Sequence, residues 1–481
     1  MRILSTISIL VFCITGKLVA QHTNEEWSFY SRQKILEWNH SHPYLMASGF
    51  REFYLANLGY NYGEGDLHNV FAPSKFSTLQ FNSQSQKSIG EWSFNGSFDY
   101  QKNFKSVRSY LLQSNDNIQN PYQLADINSG PWSGDRVNFS IGALSPSYIG
   151  ITQSFLKVDY MVGSSNRNSE PRPLFRNNHI FIQFGQLVEI KNWLALGVAG
   201  FYKQRKEENL IGNYATQDLQ LYQFRGISTF SENTFRSFQR NQQFDTYGIH
   251  LFSTINRRKY TSFIDISFAQ GNFSARNAIV SPVDSGKLNI LENHITVGNR
   301  IVLNEKKEWQ FDLKIDYEKI EGTDPIFKSI NYESEKQELT FSNLFLFKNK
   351  NQQLGANVSY SNDERLDLAG NDEIKYQFFE TEVSYLLPIK KIWNQNLYLK
   401  PMIGYRKAIH TFLSTSANGL LNEIRFRELD FVGVDYLKGA LELEWKMPLH
   451  EKSFFINSKI TRNQSEDIAY SSFHFKLGLI F

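Results

Sequence analysis

The 481-residue chain has one cysteine, Cys13, and no excess of either charge, with 51 basic against 48 acidic side chains. A single cysteine excludes a disulfide framework. The even charge balance gives nucleic acid no electrostatic footprint to bind. Mean hydropathy is −0.41, which excludes a bundle of membrane-spanning helices. Only 21% of residues are charged and 15% are aromatic, a composition opposite to that of a disordered chain. Catalytic signatures are also missing. There is no Gly-x-Ser-x-Gly elbow, no His-Glu-x-x-His and no Gly-rich phosphate loop. No enzyme activity, catalytic residue, cofactor or metal is therefore expected. Asn115-Asp116-Asn117 and Asn362-Asp363-Glu364 carry oxygen ligands suited to Ca²⁺ but lack the EF-hand spacing, and turn residues are the alternative reading.

What is present begins with a targeting segment. Arg2 supplies a positive start, Ile3 to Thr15 is apolar, and Leu18-Val19-Ala20 offers a cleavage site before Gln21. Residues 1–20 are read as a signal peptide, and export by this route implies the cell outer membrane of a Gram-negative cell. Phe12 stands before Cys13 where lipid attachment needs a small residue. Cleavage removes Arg2, Lys17 and the cysteine, so the exported chain must hold itself by hydrogen bonds and burial alone. Residues 21–50 follow as a separate segment. Trp27, Tyr30, Ile35 and Trp38 share one face of a short helix, which either plugs the fold or lies outside it in the periplasm.

From residue 51 to 481 the dominant signal is alternation with a period of two. Trp309, Phe311, Leu313, Ile315 and Tyr317 interleave with Gln310, Asp312, Lys314, Asp316 and Glu318. A helix would scatter both sets around its circumference. This pattern predicts an all-β fold, a transmembrane antiparallel β-barrel of about 18 strands. The strands are placed at 52–62, 75–84, 90–101, 135–144, 148–161, 178–189, 193–204, 243–255, 259–271, 288–303, 308–320, 336–348, 353–361, 374–388, 396–409, 430–447, 453–461 and 468–481. Short turns are expected around Gln86, Pro146, Lys191, Arg257, Glu305–Lys307, Lys350, Lys390–Asn394 and His450–Lys452. The intervening connections are longer, above all 102–134 and 205–242. Short turns on one side and long loops on the other are the periplasmic and extracellular ends of an outer-membrane barrel. Both long loops have the length either to fold inward or to lie exposed.

The aromatics follow this division. Trp92, Trp193, Trp309, Trp393 and Trp445 lie beside short turns and form the expected periplasmic girdle. In the last strand Phe473, Phe475, Leu477, Leu479 and Phe481 alternate. The polar faces predict lumen-lining residues: His250, Asp265, Arg300, Asp312, Lys314 and Asp316, then Glu318, Glu380, Glu382, Lys400 and Arg406, and finally Glu442 and Glu444. A wide water-filled barrel needs polar walls in any case; an electrostatic constriction that selects solutes is the sharper reading.

Two motifs carry a resemblance. Asn120-Pro121-Tyr122-Gln123-Leu124-Ala125-Asp126, followed by Trp132, and the region of Trp27, Trp38 and His42-Pro43-Tyr44 are similar to domain of unknown function 6850, an uncharacterised outer-membrane barrel family of the Bacteroidetes type. The resemblance implies a porin-like architecture and supplies no catalytic residue. The stripe ending at Phe481 resembles the C-terminal signal that outer-membrane barrels present to their assembly machinery. Expected partners are outer-membrane lipid and lipopolysaccharide, that machinery, and a small solute. The expected function is passage of an unidentified solute. A structural or adhesive barrel working through its loops, a transporter of hydrophobic compounds with an N-terminal hatch, and an outer-membrane hydrolase are the alternatives.

Overall fold

The computed structural model describes residues 44–45 and 52–480, apart from 109, 114–118, 149, 213–218, 236, 278–281, 393–394, 417–418, 450–451 and 467. Residues 1–43, Trp393 and Phe481 lie outside the described residues, and with them the expected signal peptide, the Trp27–Trp38 face and Asn115-Asp116-Asn117. The first eight strands are β1 (Phe53–Gly65), β2 (Lys75–Ile89), β3 (Trp92–Arg108), β4 (Leu124–Ala125), β5 (Gly130–Leu144), β6 (Thr152–Arg167), β7 (Arg172–Lys191) and β8 (Leu194–Gly212). There follow β9 (Leu219–Phe224), β10 (Phe230–Phe235), β11 (Ser237–Arg257), β12 (Tyr260–Asn277), β13 (Val283–Asn304), β14 (Lys307–Thr323) and β15 (Ile330–Phe347). The chain ends with β16 (Gln352–Asp367), β17 (Asp372–Ile392), β18 (Gln395–Ser414), helix α1 (Leu420–Val432), β19 (Tyr436–Leu449), β20 (Lys452–Gln464) and β21 (Ala469–Ile480).

All of these strands except β4, β9 and β10 form one 18-stranded antiparallel sheet in chain order. The sheet closes on itself because β21 pairs with β1, from Leu55 opposite Ile480 to Gly65 opposite Tyr470. Closure leaves no free edge, so every strand finds both neighbours without a disulfide. The side-chain period sets the two faces. Ile141, Ile249, Leu251, Ile264, Phe268, Ile403, Leu441 and Ile460 are exposed on the outside. Their alternating neighbours, such as Asp265, Asp312, Arg406 and Glu442, are buried on the inside. Every wall strand has a neighbour on both sides, although the outer end of β18, Lys407–Ser414, pairs with β17 alone because β19 starts at Tyr436.

The eighteen expected strands correspond one to one with the wall. Three local expectations are corrected. The first short turn falls at Gly90-Glu91 instead of Gln86, where Gly90 supplies the positive φ of +60° that the reversal needs. Residues 430–435 belong to the end of α1 and its exit, and the strand starts at Tyr436. Asn362-Asp363-Glu364 lies within β16 and not in a turn. Several strands also run past their expected outer ends, β7 from Arg172 and β11 from Ser237. There both faces are polar, as in Arg176, Asn177 and Asn178, so the alternation that marks a strand fades while the backbone pairing continues.

Candidate functional site: a filled lumen

The two long loops fold inward. Residues 109–129 contribute β4 and residues 213–236 contribute β9 and β10, which together form a three-stranded sheet inside the outer end of the barrel. Helix α1, the connection between β18 and β19, packs against it. Leu111, Ala125, Phe224, Leu421 and Ile424 are each at most 1% exposed and form the apolar centre with Val70 and Phe71 from the β1–β2 connection. Four connections therefore meet in one plug. The helix forms because its thirteen residues contain neither glycine nor proline, with Gly419 before it and Gly433 after it. Leu420, Leu421, Ile424, Arg425, Glu428 and Val432 are its buried residues.

The plug is fastened to the wall around much of the ring. Arg167 on β6 holds Asp126 at 2.5 Å, with both side chains at most 1% exposed. Burial pushes the Asp126 carboxyl up to about 6, against the opposing pull of that guanidinium. Arg240 on β11 donates to the Tyr122 carbonyl at 3.2 Å, to Gln223 at 3.1 Å and to Ser285 at 2.6 Å. Tyr122 lies so close to β13 that a Cβ on Gly286 would stand 2.3 Å from its ring. Only glycine fits there. Gln119 donates to Asp363 of β16 at 3.0 Å. Arg225 pairs with Asp324 at 2.7 Å. Asp367 accepts from the backbone N–H of Ile227 at 2.8 Å and of Ser228 at 3.2 Å.

The tightest fastening is an ionic cluster under α1. Arg365 on β16 contacts both Asp363, at 3.1 Å, and Glu428, and Glu428 also takes Arg425 at 2.9 Å. Arg425 donates to the Ile227 carbonyl at 3.0 Å. All of these side chains are at most 4% exposed. Buried charges are tolerated only when paired in this way.

A second obstruction sits near the short-turn end. Tyr44 stacks on Phe252 with ring centroids 3.9 Å apart and donates to Asp265 at 2.9 Å. Asp265 also holds His250 at 2.9 Å. Leu45 joins Tyr44 among Leu144, Phe155, Leu187, Ala195 and Phe263 of the wall. The chain enters the wall at Phe53, on a strand far round the ring from β11 and β12. Between the two obstructions, a cavity of about 320 Å³ is lined by Glu292, His294, Asp316, Glu318, Lys336 and Glu338, among others.

The residues expected to line the lumen all stand on inward faces, but they do not form one site. Arg300 is tied to Glu308 at 2.7 Å, near a short turn. Asp312 is 6% exposed, whereas Lys314 is exposed. Asp316 is bonded to His294 and borders the cavity with Glu318. Glu380 and Glu382 share Lys438, at 3.7 and 2.7 Å. Lys400 meets Glu442 at 4.0 Å, and Glu444 is 3% exposed. Arg406 is enclosed among the rings of Phe378, Phe431 and Tyr436, with 3.9 Å to the nearest centroid. Among the described tryptophans of the expected girdle, Trp92 and Trp445 are 42% and 37% exposed. Trp193 lies under Arg257 at 4.3 Å and Trp309 bonds Asn343. Phe473, Phe475, Leu477 and Leu479 follow β21 on alternate positions.

The plug residues were not singled out by sequence reasoning, except Asn120–Asp126. The overlooked signal lies in Leu420–Val432, whose apolar positions Leu421, Ile424 and Val432 have helical spacing.

Fold and interior define a closed 18-stranded antiparallel β-barrel whose lumen is filled at its long-loop end. The family of unknown function DUF6850 matches residues 43–481, and the chain belongs to it. No curated protein matches the sequence. Similar solved structures include the ferric preacinetobactin receptor BauA of Acinetobacter baumannii, at 7% identity and a TM-score of 0.43 over 90% of this chain and 80% of that one. The outer-membrane transporter YddB of Escherichia coli has 9% identity and a TM-score of 0.40, over 89% and 80%. OpdK of Pseudomonas aeruginosa, solved with vanillate, has 11% identity and a TM-score of 0.37, over 89% and 98%.

Proposed function

We propose that the protein is an outer-membrane channel for a small solute, held shut by its own loops and opened when the plug is displaced. The observation that supports this most directly is the filling of a wide polar barrel by four connections fastened through hydrogen bonds and ion pairs. An 18-stranded barrel leaves an aqueous lumen unless chain fills it. The exposed apolar band faces lipid, the tryptophans beside the short turns sit at the periplasmic interface, and residues 1–20 direct export. The β21 stripe serves recognition by the assembly machinery, and lipopolysaccharide surrounds the outer rim.

Tyr44 and Leu45 act as the inner stopper in this reading. Recording from the purified full chain in planar bilayers tests it. The expected record is a closed baseline broken by brief openings. Tyr44→Ala removes the ring stack and the Asp265 bond, and openings are expected to become more frequent. An unchanged record assigns Tyr44 to wall packing alone. The membrane placement has a separate test. Leu313→Arg is expected to cost roughly 2–4 kcal/mol of folding stability in lipid vesicles if that face meets the bilayer midplane. A neutral substitution would take the band out of lipid.

A further inference from the structure

The outer face of the plug carries a cup of about 360 Å³ that none of the fastenings above requires. It is lined by Tyr110, Ser129, Tyr222, Leu420, Glu423 and Arg427, together with Ile127. Ile127 is 60% exposed and, with Ser129, precedes the outer tip of β5, so the cup opens at the long-loop rim. Its walls come from three separate connections: residues 109–129, β9 and α1.

Three observations describe how it is built. Tyr110 has a φ of +65°, a left-handed conformation that a bulky residue adopts only where its surroundings impose it. That conformation brings its hydroxyl to Glu423, to which it donates at 2.7 Å. Arg427 donates to the same carboxylate at 3.0 Å and places its guanidinium 5.5 Å from the Tyr110 ring centroid. Tyr110 and Tyr222 are at most 9% exposed, whereas the side chains of Glu423 and Arg427 are 52% and 55% exposed. The result is a small, mainly polar recess, with the buried Tyr110, Tyr222 and Leu420 behind it and a carboxylate–guanidinium pair at its lip. Burial and the Glu423 bond push the Tyr110 phenol up to about 12, so it remains a neutral donor.

We infer that this cup is a recognition site for a neutral, polyhydroxylated solute of about one or two sugar rings, and that such a solute bridges the connections that close the channel. The inference rests on the channel reading. The lip residues cancel in charge, so neither an anion nor a cation is drawn in by net field. Adjacent solute hydroxyls donate to Glu423 and accept from Arg427 while the ion pair between them stays whole. Charge-assisted hydrogen bonds of this kind are the strong ones. Because the ligand touches three plug elements at once, its binding is thermodynamically linked to whether they stay together.

Calorimetry on the full chain in an amine-oxide detergent tests this, since a sugar detergent would compete. The probes are a panel of neutral mono- and disaccharides and a matched panel of free amino acids. Binding of at least one neutral saccharide is expected, weakened about tenfold or more by Arg427→Met or Glu423→Gln. Both variants alter exposed side chains and are expected to keep the wild-type melting profile. Absence of saccharide binding, binding that both variants retain, or binding of amino acids alone overturns the inference. Saccharide binding by a chain that never conducts would retain the cup and remove the channel.

Discussion

Replacing Leu111–Ala125 and Leu219–Phe235 with short Gly/Ser connections is expected to turn a closed barrel into a continuously conducting one, with current raised by about an order of magnitude or more. The reason is geometric. These segments carry β4, β9 and β10, which are the inner sheet, and they supply Gln119, Tyr122 and Arg225, which are fastenings to the wall. The ring closes through its own strand pairing, β21 on β1, so its closure does not depend on them. Ions then meet an acidic stretch. Glu292 and Glu318 are direct cross-strand neighbours, with Asp316 and Glu338 on the same cavity. The opened pore is expected to favour cations, and Glu318→Gln to reduce that preference in a reversal-potential measurement across a salt gradient. A shortened barrel that folds and carries no current would remove the channel reading and leave the adhesive one.

Substituting Arg365 with Leu is expected to have the largest effect on stability of any single change. The guanidinium lies between Asp363 and Glu428, and all three side chains are about 1% exposed. Its loss strands buried carboxylate charge, which costs about 3–5 kcal/mol. The cost falls on the junction between β16 and α1, so it is read as urea-induced release of the helix, seen as proteolysis near the exposed Phe426, well before the wall unfolds. Asp363→Asn, Arg365→Met and Glu428→Gln made together remove the charges as a set and are expected to restore most of the loss. Equal sensitivity of wild type and Arg365→Leu to protease would mean that the cluster does not hold the helix.

Much of the wall was legible in the chain. A period of two in Trp309–Glu318 cannot be satisfied by a helix, and the same arithmetic recovered each strand of the ring. It also set Asp312 and Glu442, which are buried, on the opposite face of their strands from Leu313 and Leu441. The ends were less legible. Beyond the apolar band Arg176–Asn178 and Gln239–Gln243 pair as strand with polar side chains on both faces, so no alternation marks them.

The plug could not be read at all as an assembly. Its parts lie at Val70, Tyr122, Phe224 and Glu428, and nothing in local sequence links a helix glutamate to an arginine on β16. Tyr122 is buried only because Gly286, far along the chain, leaves room for its ring. The alternation with a period of two determined by sequence alone that this would be a closed antiparallel barrel, since alternation is a local quantity. Whether the lumen was open was decided only by tertiary structure, because filling it depends on pairings between residues more than a hundred positions apart.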